Sequence, residues 1–141
     1  MILLDTNVVS ELMRPEPAAA VLDWVDRQDA KDLYLSAVSE AELRAGVALL
    51  PQGRRRDRLL AAVEAMIEHD FSGRLLPFDS PAARSYAGIF AARRAAGRPI
   101  LEADCQIASI AACRGMAVAT RSIADFADCG IAVIDPWREP A

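Results

Sequence analysis

The chain begins with MILLDTN, residues 1–7, an apolar run that ends abruptly on a carboxylate. Ile2–Leu4 has the length and composition of a short buried strand, and Asp5 follows it directly. Strands of buried parallel sheets are apolar on both faces, and binding sites in open α/β sheets form beyond the carboxyl ends of such strands. The opening stretch therefore predicts a parallel sheet with Asp5 at its carboxyl edge.

Short apolar runs alternate with longer helical patterns along the rest of the chain. Further strands are predicted at Leu33–Leu35, Leu75–Phe78, Ala117–Ala119 and Ile131–Ile134. Helices are predicted at Ala18–Gln28, Ser39–Leu50, Arg55–Asp70, Pro81–Ala96 and Leu101–Arg114. This alternation is typical of a mostly parallel sheet that helices cover on both faces. We expect one α/β domain over residues 1–141, with three α/β/α layers.

Composition narrows the class of protein. The 141 residues, of which 53% are hydrophobic, suit one domain with one core. No apolar run approaches the length of a membrane helix, about 20 residues, and no signal peptide precedes the first strand, so we expect a soluble cytoplasmic protein. His69 is the only histidine and no CxxC pair occurs, which argues against zinc. We expect Cys105, Cys113 and Cys129 to be reduced core residues.

The net charge of −4 argues against a non-specific nucleic-acid coat. It does not exclude a nuclease, because a carboxylate site adds negative charge that a metal ion neutralises locally. Lys31 is the one lysine, and the other cations are arginines, which suit bidentate phosphate binding. Two arginine clusters are candidates either for phosphate contacts or for solvated surface: Arg54, Arg55, Arg56 and Arg58, and Arg93, Arg94 and Arg98.

Two carboxylates have both a structural and a functional interpretation. Asp5 either caps a short helix that follows it, by accepting a backbone N–H, or belongs to an active site. Glu42 has the S-x-x-E spacing of a capping box with Ser39. A glycine inside a helix costs about 1 kcal/mol relative to alanine, so Gly46, on the same face as Glu42, predicts close packing there. Glu40, the competing carboxylate, is expected in solvent.

Asp104 is the most informative carboxylate, because it shares the apolar helix face of Ile107, Ala108 and Ala111. Burial of an unpaired carboxylate is costly, so Asp104 needs a compensating partner. An arginine, a cluster of backbone N–H groups or a metal ion could serve. The structural alternative is that Asp104 lies in the first helical turn, where the helix dipole favours negative charge.

A later strand end also carries polar side chains. The strand Ala117–Ala119 is followed by Thr120, in the same kind of position as Asp5. Ser122 and Asp125 have the spacing of a helix cap, and capping is the favoured interpretation of Asp125.

Together these residues predict acids from distant segments at one edge of a parallel sheet. Carboxylates packed together repel, and the pKa of one of them rises unless a cation intervenes. Oxygen ligands without histidine or cysteine favour Mg²⁺ or Mn²⁺. A magnesium ion held by few carboxylates binds substrate phosphate and activates water, which is the chemistry of phosphodiester hydrolysis.

Several motifs, in order along nearly the whole chain, resemble those of PIN-domain ribonucleases, and especially toxins of the VapC/FitB type. They are MILLDTNVVSELMRP, YLSAVSEAELRAGVALLPQG, LLPFD, EADCQIASIA, VATR and the late PW. The resemblance implies a PIN fold and a Mg²⁺- or Mn²⁺-dependent endoribonuclease. It also implies that Asp5, Glu42 and Asp104 are the catalytic, metal-binding acids.

The resemblance extends to residues around these acids. Thr6 and Asn7 follow the first acid as in the family, and we expect them to shape that turn. Thr120 is the polar residue at the fourth strand end. Many relatives carry an acid where this chain has Ser122, and some place one at the position of Asp125. Either residue could therefore replace the fourth acid.

The family also implies partners. Toxins of this type usually dimerise and act on RNA, and a small antitoxin whose tail covers the active site neutralises them. Such antitoxins often bind operator DNA. The resemblance implies that an antitoxin arginine enters the carboxylate cluster and displaces the metal. No membrane partner is expected.

Three alternatives to the toxin remain open. The first is a phosphatase or phosphoacceptor on a similar sheet, and the sequence fits it poorly. A phosphatase of the haloacid dehalogenase type needs an aspartate where this chain has Asn7, and a receiver domain needs a late lysine, whereas Lys31 is early. The second alternative is a catalytically inert PIN-like binding module, and the third is an RNA-processing nuclease that is not a toxin. Metal-dependent cleavage would exclude the inert module, and a short antitoxin frame directly upstream would favour the toxin.

Overall fold

The computed structural model of the protein describes residues 1–139, and a five-stranded sheet lies at its centre. The strands are β1 (Ile2–Leu4), β2 (Leu33–Ser36), β3 (Leu75–Leu76), β4 (Ala117–Ala119) and β5 (Val133–Ile134). They lie in the order β3-β2-β1-β4-β5, and every neighbouring pair is parallel. The predicted parallel sheet is confirmed, although β3 and β5 are shorter than predicted.

Six α-helices in residues 1–139 connect these strands. They are α1 (Thr6–Leu12), α2 (Ala19–Asp26), α3 (Ala37–Ala48), α4 (Arg54–Ala65), α5 (Ser80–Ala95) and α6 (Glu102–Cys113). The five longer helices were predicted, and α4 continues into a π-helical turn at Met66–Asp70. Within the described residues, no helix has both the length and the apolar character needed to cross a bilayer.

Successive side chains of a strand point to opposite faces of the sheet, so β1 contributes to two cores. Leu3 packs with buried residues of α5 and α6, among them Ile89 and Ile107. Leu4 packs on the other face with buried residues of α1 to α4, among them Trp24 and Val63. The two groups of helices therefore cover opposite faces, which confirms the predicted α/β/α layers.

The order of the strands creates a topological switch point between β1 and β4. The chain leaves β1 towards β2 and β3 over the face covered by α1 to α4, and it returns to β4 over the face covered by α5 and α6. Binding crevices in such sheets form beyond the carboxyl ends of the strands at this point. The Asp5 amide donates a hydrogen bond to Ala119 O at 2.9 Å, so Asp5 lies at the switch point.

Helix α3 differs from its prediction at two positions. It begins before Ser39, and its cap is Ser36, whose Oγ accepts from the Ser39 amide at 3.0 Å. The predicted capping box of Ser39 and Glu42 is therefore wrong. Gly46 is exposed, and a Cβ added there would meet nothing within 4 Å. The predicted close packing at Gly46 is also wrong.

Arg93 is buried, which contradicts its prediction as a solvated or phosphate-binding residue. Its Nε donates to Arg98 O at 2.7 Å, and one Nη donates to Asp125 O at 2.7 Å and to Ala127 O at 3.0 Å. Three backbone carbonyls in two loops thus depend on one guanidinium. Arg94, in contrast, is exposed as predicted.

Replacement of Arg93 by methionine keeps the apolar stem but removes every donor to these carbonyls. We expect the free energy of unfolding to fall by about 3 kcal/mol, because hydrogen bonds from a charged donor are lost in a buried setting. Arg94→Met on the same helix is the matched control, with an expected change below about 0.5 kcal/mol. Urea denaturation followed by circular dichroism measures both, and equal losses would contradict the structural role of Arg93.

A candidate acidic active site at the carboxyl edge of the sheet

The three acids named by the sequence line one cleft of about 540 Å³. Asp5 follows β1, and Glu42 lies in the first half of α3. Asp104 lies in the first turn of α6. Because α6 precedes a parallel strand, its N-terminus lies at the same sheet edge as the carboxyl end of β1. The fold thus brings acids from three distant segments together at the switch point.

Asp5 is buried, with 6% of its surface exposed, and both of its carboxylate oxygens accept hydrogen bonds. Oδ1 accepts from the Thr6 amide at 2.8 Å, and Oδ2 accepts from the Thr120 hydroxyl at 2.8 Å. Asp5 is therefore the N-cap of α1 as well as a cleft residue, so its two interpretations are compatible. Burial raises the pKa of Asp5, and the hydrogen bonds from Thr120 and Thr6 oppose that rise.

The direction of the Thr120 proton is fixed by its neighbours. Thr120 Oγ1 is contacted by the Ser122 amide at 3.0 Å and by Asn7 Nδ2 at 3.3 Å, and both groups can only donate. The single hydroxyl proton is therefore directed to Asp5. Asn7 also accepts from the Arg121 amide at 3.3 Å. Asn7 thus joins α1 to the loop after β4.

Thr6 links the first two acids. Its hydroxyl lies 2.6 Å from Glu42 Oε1 and 2.8 Å from Ser39 Oγ. An ionised carboxylate only accepts, so the Thr6 proton goes to Glu42. The amide of Thr6 holds Asp5 at the same time. One residue thus orients both acids without contributing a positive charge.

Asp104 is partly buried, and the ion pairs within residues 1–139 do not include it. The pKa of Asp104 is raised to about 6, chiefly by burial and then by the charges of Asp5, Asp125 and Glu42, while the charge of Arg93 opposes the rise. The compensating partner expected from the sequence is thus not found among the described side chains. A bound cation would favour the ionised carboxylate and so oppose this rise.

Ser122 lines the cleft, whereas Asp125 is exposed and does not. Ser122 Oγ accepts from Asn7 Nδ2 at 3.3 Å, and no side-chain bond caps the 3₁₀ turn that follows. The predicted side-chain cap is therefore wrong, although the backbone amide of Asp125 does bond Ser122 O at 3.0 Å. The charge of Asp125 nevertheless raises the pKa of both Asp5 and Asp104.

The donors in the cleft fit a hard divalent cation. Asp5, Glu42 and Asp104 offer carboxylate oxygens, which Mg²⁺ and Mn²⁺ prefer, and none of the cleft residues offers sulfur or imidazole. Within residues 1–139, no three acidic, histidine or cysteine side chains already converge to metal-ligand distance. The three acids thus line one cleft, but in the described residues they do not form a preformed metal site.

Residues of α1 and of the turn that follows it also line the cleft and were not predicted as site residues. Ser10, Glu11 and Arg14 line the cleft beside Asn7. Glu11 is buried and accepts from the Ala18 amide at 2.9 Å, and it pairs with Arg14 at 3.4 Å. Positions 7, 10 and 11 share one face of α1, and this spacing could have identified Ser10 and Glu11.

Arg121 and Trp137 also line the cleft and were not predicted as site residues. The Arg121 guanidinium carbon lies 5.2 Å from the centre of the Trp137 ring. These residues follow β4 and β5, which are neighbours in the sheet. The position of Arg121, two residues after β4, was the available signal, whereas nothing in the sequence predicts its contact with Trp137.

The pKa of Asp104 predicts a dependence of stability on pH. The pKa of about 6 in the folded protein exceeds the ordinary value of 3.8, so the folded state binds this proton more tightly than the unfolded state. The stability from this proton is full below the ordinary pKa and is lost as pH rises through the folded pKa. In EDTA, we expect Asp104→Asn to raise the melting temperature, with a gain that grows from about pH 4 to about pH 7.

The matched control is Glu102→Gln, which changes an exposed acid of the same helix. Its melting temperature should follow that of the parent protein across this range. Parallel profiles for the parent and Asp104→Asn would contradict the raised pKa.

Comparison with known proteins supports the family that the sequence motifs resemble. The family model described as PIN domain matches residues 2–126. The plasmid stability protein StbB of Pseudomonas syringae pv. tomato is 49% identical over 138 residues, covering 98% of this chain and 99% of the relative. The VapC ribonuclease Y4jK of Sinorhizobium fredii is 47% identical over 141 residues, 100% of both chains. Toxin FitB of Neisseria gonorrhoeae is 45% identical over 139 residues, 99% of this chain and 100% of the relative.

Solved structures show a similar fold. The chain matches FitAcB from Neisseria gonorrhoeae with a TM-score of 0.93 and 45% identity, covering 99% of this chain and 100% of that one. The chain also matches the structure of FitAB bound to an IR36 DNA fragment. The TM-score is 0.94 and the identity 44%, and the match covers 100% of this chain and 99% of that one. The sequence, the parallel sheet and these matches agree, and the chain belongs to the PIN domain family.

Proposed function

We propose that the protein is the toxin of a toxin–antitoxin pair and acts as a metal-dependent endoribonuclease that hydrolyses RNA phosphodiester bonds. The observation that carries the proposal is the cleft in which Asp5, Glu42 and Asp104 meet at the switch point of the sheet. The names of two relatives, VapC ribonuclease and Toxin FitB, support it. The proposal treats residues 1–141 as a single PIN domain that works in the cytoplasm.

Asp5, Glu42 and Asp104 would hold Mg²⁺ or Mn²⁺. When bound, the cation supplies Lewis-acid charge that stabilises the leaving oxygen and lowers the pKa of a water nucleophile. The protein's own part is to place three acids on one cleft and to orient Asp5 and Glu42 by hydrogen bonds. Hydrolysis by water needs no covalent intermediate with a side chain.

The hydrogen bonds around the acids support this division of roles. The Thr120 hydroxyl and the Thr6 amide orient Asp5, and the Thr6 hydroxyl orients Glu42. These donors are neutral, so they hold the carboxylates without cancelling the charge that attracts a cation. Ser122 lines the cleft without adding charge, so a second cation should bind weakly or only with RNA.

Cleavage of a mixed RNA panel by the purified protein, with Mg²⁺, Mn²⁺ or EDTA, tests the proposal. We expect cleavage that requires metal and falls at least roughly 100-fold in Asp5→Asn, Glu42→Gln and Asp104→Asn. The matched controls are Glu40→Gln on α3, whose side chain pairs with Arg44 at 2.8 Å outside the cleft, and Glu102→Gln on α6. Both controls should cleave like the parent protein.

A thermal shift provides a second measurement that does not depend on finding the right RNA. A cation at 100 times its dissociation constant stabilises the folded state by about 2.7 kcal/mol. We expect this shift in the parent protein and in both controls but not in Asp104→Asn. Metal-dependent cleavage that survives Asp5→Asn and Asp104→Asn would contradict the proposed site. A rise in melting temperature on addition of metal, without any RNA cleavage, would favour an inert module.

The proposed antitoxin would dock in an apolar groove beside the active site. The groove has a volume of about 750 Å³ and lies between α1, α3 and α4. Its apolar lining includes Met13, Leu43, Leu50 and Leu59. Thr6 and Glu42 line both the groove and the acidic cleft. A segment in the groove would thus reach the carboxylates, where an arginine could replace the cation.

Gly46 offers a test of this docking, because it lines the groove and its missing side chain leaves open space. Gly46→Trp should fill the groove and weaken binding of the antitoxin by about 10-fold or more. Gly46→Ala is the matched control and should bind normally. Calorimetry with the small protein encoded directly upstream measures both, and unchanged binding by Gly46→Trp would contradict the proposed groove.

Two further parts of the proposal concern assembly. We propose that the protein is a homodimer and that its antitoxin binds operator DNA. Phe78 and Phe90 are exposed on either side of Tyr86, with ring centres 5.9 Å and 6.1 Å from it, and such an aromatic surface supports self-association. Sedimentation that shows a monomer at every concentration would contradict the homodimer.

A further inference from the structure

We infer that Arg121 and Trp137 form a subsite for an unpaired RNA nucleotide next to the scissile phosphate. The base would stack on this pair, and the Arg121 guanidinium would bind the phosphate of the same nucleotide. The inference rests on the proposed ribonuclease function and adds to it how the acidic cleft binds a polyanion.

The first argument is the balance of charge in the cleft. Its lining contains four acids, Asp5, Glu11, Glu42 and Asp104, and two arginines, Arg14 and Arg121. Arg14 already pairs with Glu11 at 3.4 Å. The ion pairs within residues 1–139 do not include Arg121. Arg121 is therefore the cleft cation whose donors are available to a phosphate.

The second argument is that the pair is held in place. The Arg121 amide donates to Asn7 Oδ1 at 3.3 Å, which fixes the start of the side chain beside the acids. The Trp137 amide donates to Asp135 Oδ1 at 2.9 Å, and Asp135 is buried. The Trp137 ring packs against the core formed by α1 to α4. A preordered pair loses less conformational entropy when a ligand binds.

The third argument is chemical. The guanidinium carbon of Arg121 lies 5.2 Å from the centre of the Trp137 ring, in the range of a cation–π interaction. Proteins that bind single-stranded RNA stack unpaired bases on aromatic rings and on arginine planes, and arginine N–H groups bind phosphate. Paired bases in a double helix cannot reach such a surface. The pair therefore selects single-stranded RNA.

Tryptophan fluorescence tests the stacking directly. The protein has two tryptophans, and Trp24 is buried at 3% exposure, whereas Trp137 is only partly buried at the cleft. A single-stranded RNA oligonucleotide of mixed sequence should quench the emission of the parent protein. The same titration of Trp137→Phe, in which Trp24 is the remaining emitter, should show no quenching. A duplex of the same sequence should not quench either protein.

Affinity and its salt dependence test the two roles separately. Fluorescence anisotropy in EDTA measures binding of a labelled oligonucleotide without cleavage. We expect Arg121→Ala and Trp137→Leu each to bind about 10-fold more weakly, the size expected for loss of one stacked base. Arg121→Ala should also lower the slope of log affinity against log salt by about 0.7, the value for one phosphate of a single strand.

Conservative variants separate binding from folding. Trp137→Phe should keep most of the affinity because it keeps an aromatic face, and Arg121→Lys should keep the salt slope but lose affinity. The matched control is Arg138→Ala, an exposed arginine next to Trp137 that does not line the cleft. Its affinity and slope should equal those of the parent protein. If Trp137→Leu fails to fold, the quenching of the parent protein and the Arg121 variants still decide the question.

Each outcome has a distinct meaning. Metal-dependent cleavage by the parent protein, with Arg121→Ala and Trp137→Leu equal to Arg138→Ala, would overturn the subsite and leave the ribonuclease standing. A parent protein that neither binds nor cleaves RNA would overturn both. Variants of Arg121 or Trp137 that no longer bind the antitoxin but still bind RNA would show that the two residues form a protein contact, which also overturns the inference.

Discussion

The rest of the structure depends on the parallel pairing of β1 with both β2 and β4. This pairing makes the carboxyl end of β1 the switch point of the sheet, and it places Asp5 there with its amide bonded to Ala119 O. Both faces of β1 are buried, because Leu3 and Leu4 each belong to a core. A shift of β1 by one residue would exchange these faces and move Asp5 out of the cleft. The position of the first acid is therefore set by the packing of the whole domain.

Two of the acids in the cleft, Asp5 and Glu42, are held by neutral donors. Asp5 is bonded by an amide and by the Thr120 hydroxyl, and Glu42 by the Thr6 hydroxyl. A lysine or arginine in these places would have neutralised the acids and weakened their attraction for a cation. Hydroxyl and amide groups fix orientation and leave the negative charge in place. Asp104 belongs to no ion pair among residues 1–139, and burial, followed by the charges of neighbouring acids, raises its pKa.

Sequence predicted the parts of the fold that follow from local pattern. The strands and the shared location of Asp5, Glu42 and Asp104 could be predicted, because parallel strands end at a common edge of the sheet. The burial of Arg93 could not be predicted from the sequence, because its three carbonyl partners lie in loops whose positions depend on tertiary packing. The exposure of Gly46 was misjudged for a similar reason, since the neighbouring helix leaves a groove there.

The loop after β4 shows how such tertiary contacts serve the site. Asn7 binds this loop from the side of the cleft, through the Arg121 amide and Ser122 Oγ. Arg93 binds it from the opposite side, through Asp125 O and Ala127 O. A surface loop with few contacts is mobile, but this one is fixed at both ends of its turn. This loop carries Arg121 and Ser122 rather than a further acid into the cleft, while Asp125 lies outside the cleft lining. An arginine on one side of the acids would favour the approach of a polyanion from that side towards a cation held by carboxylates.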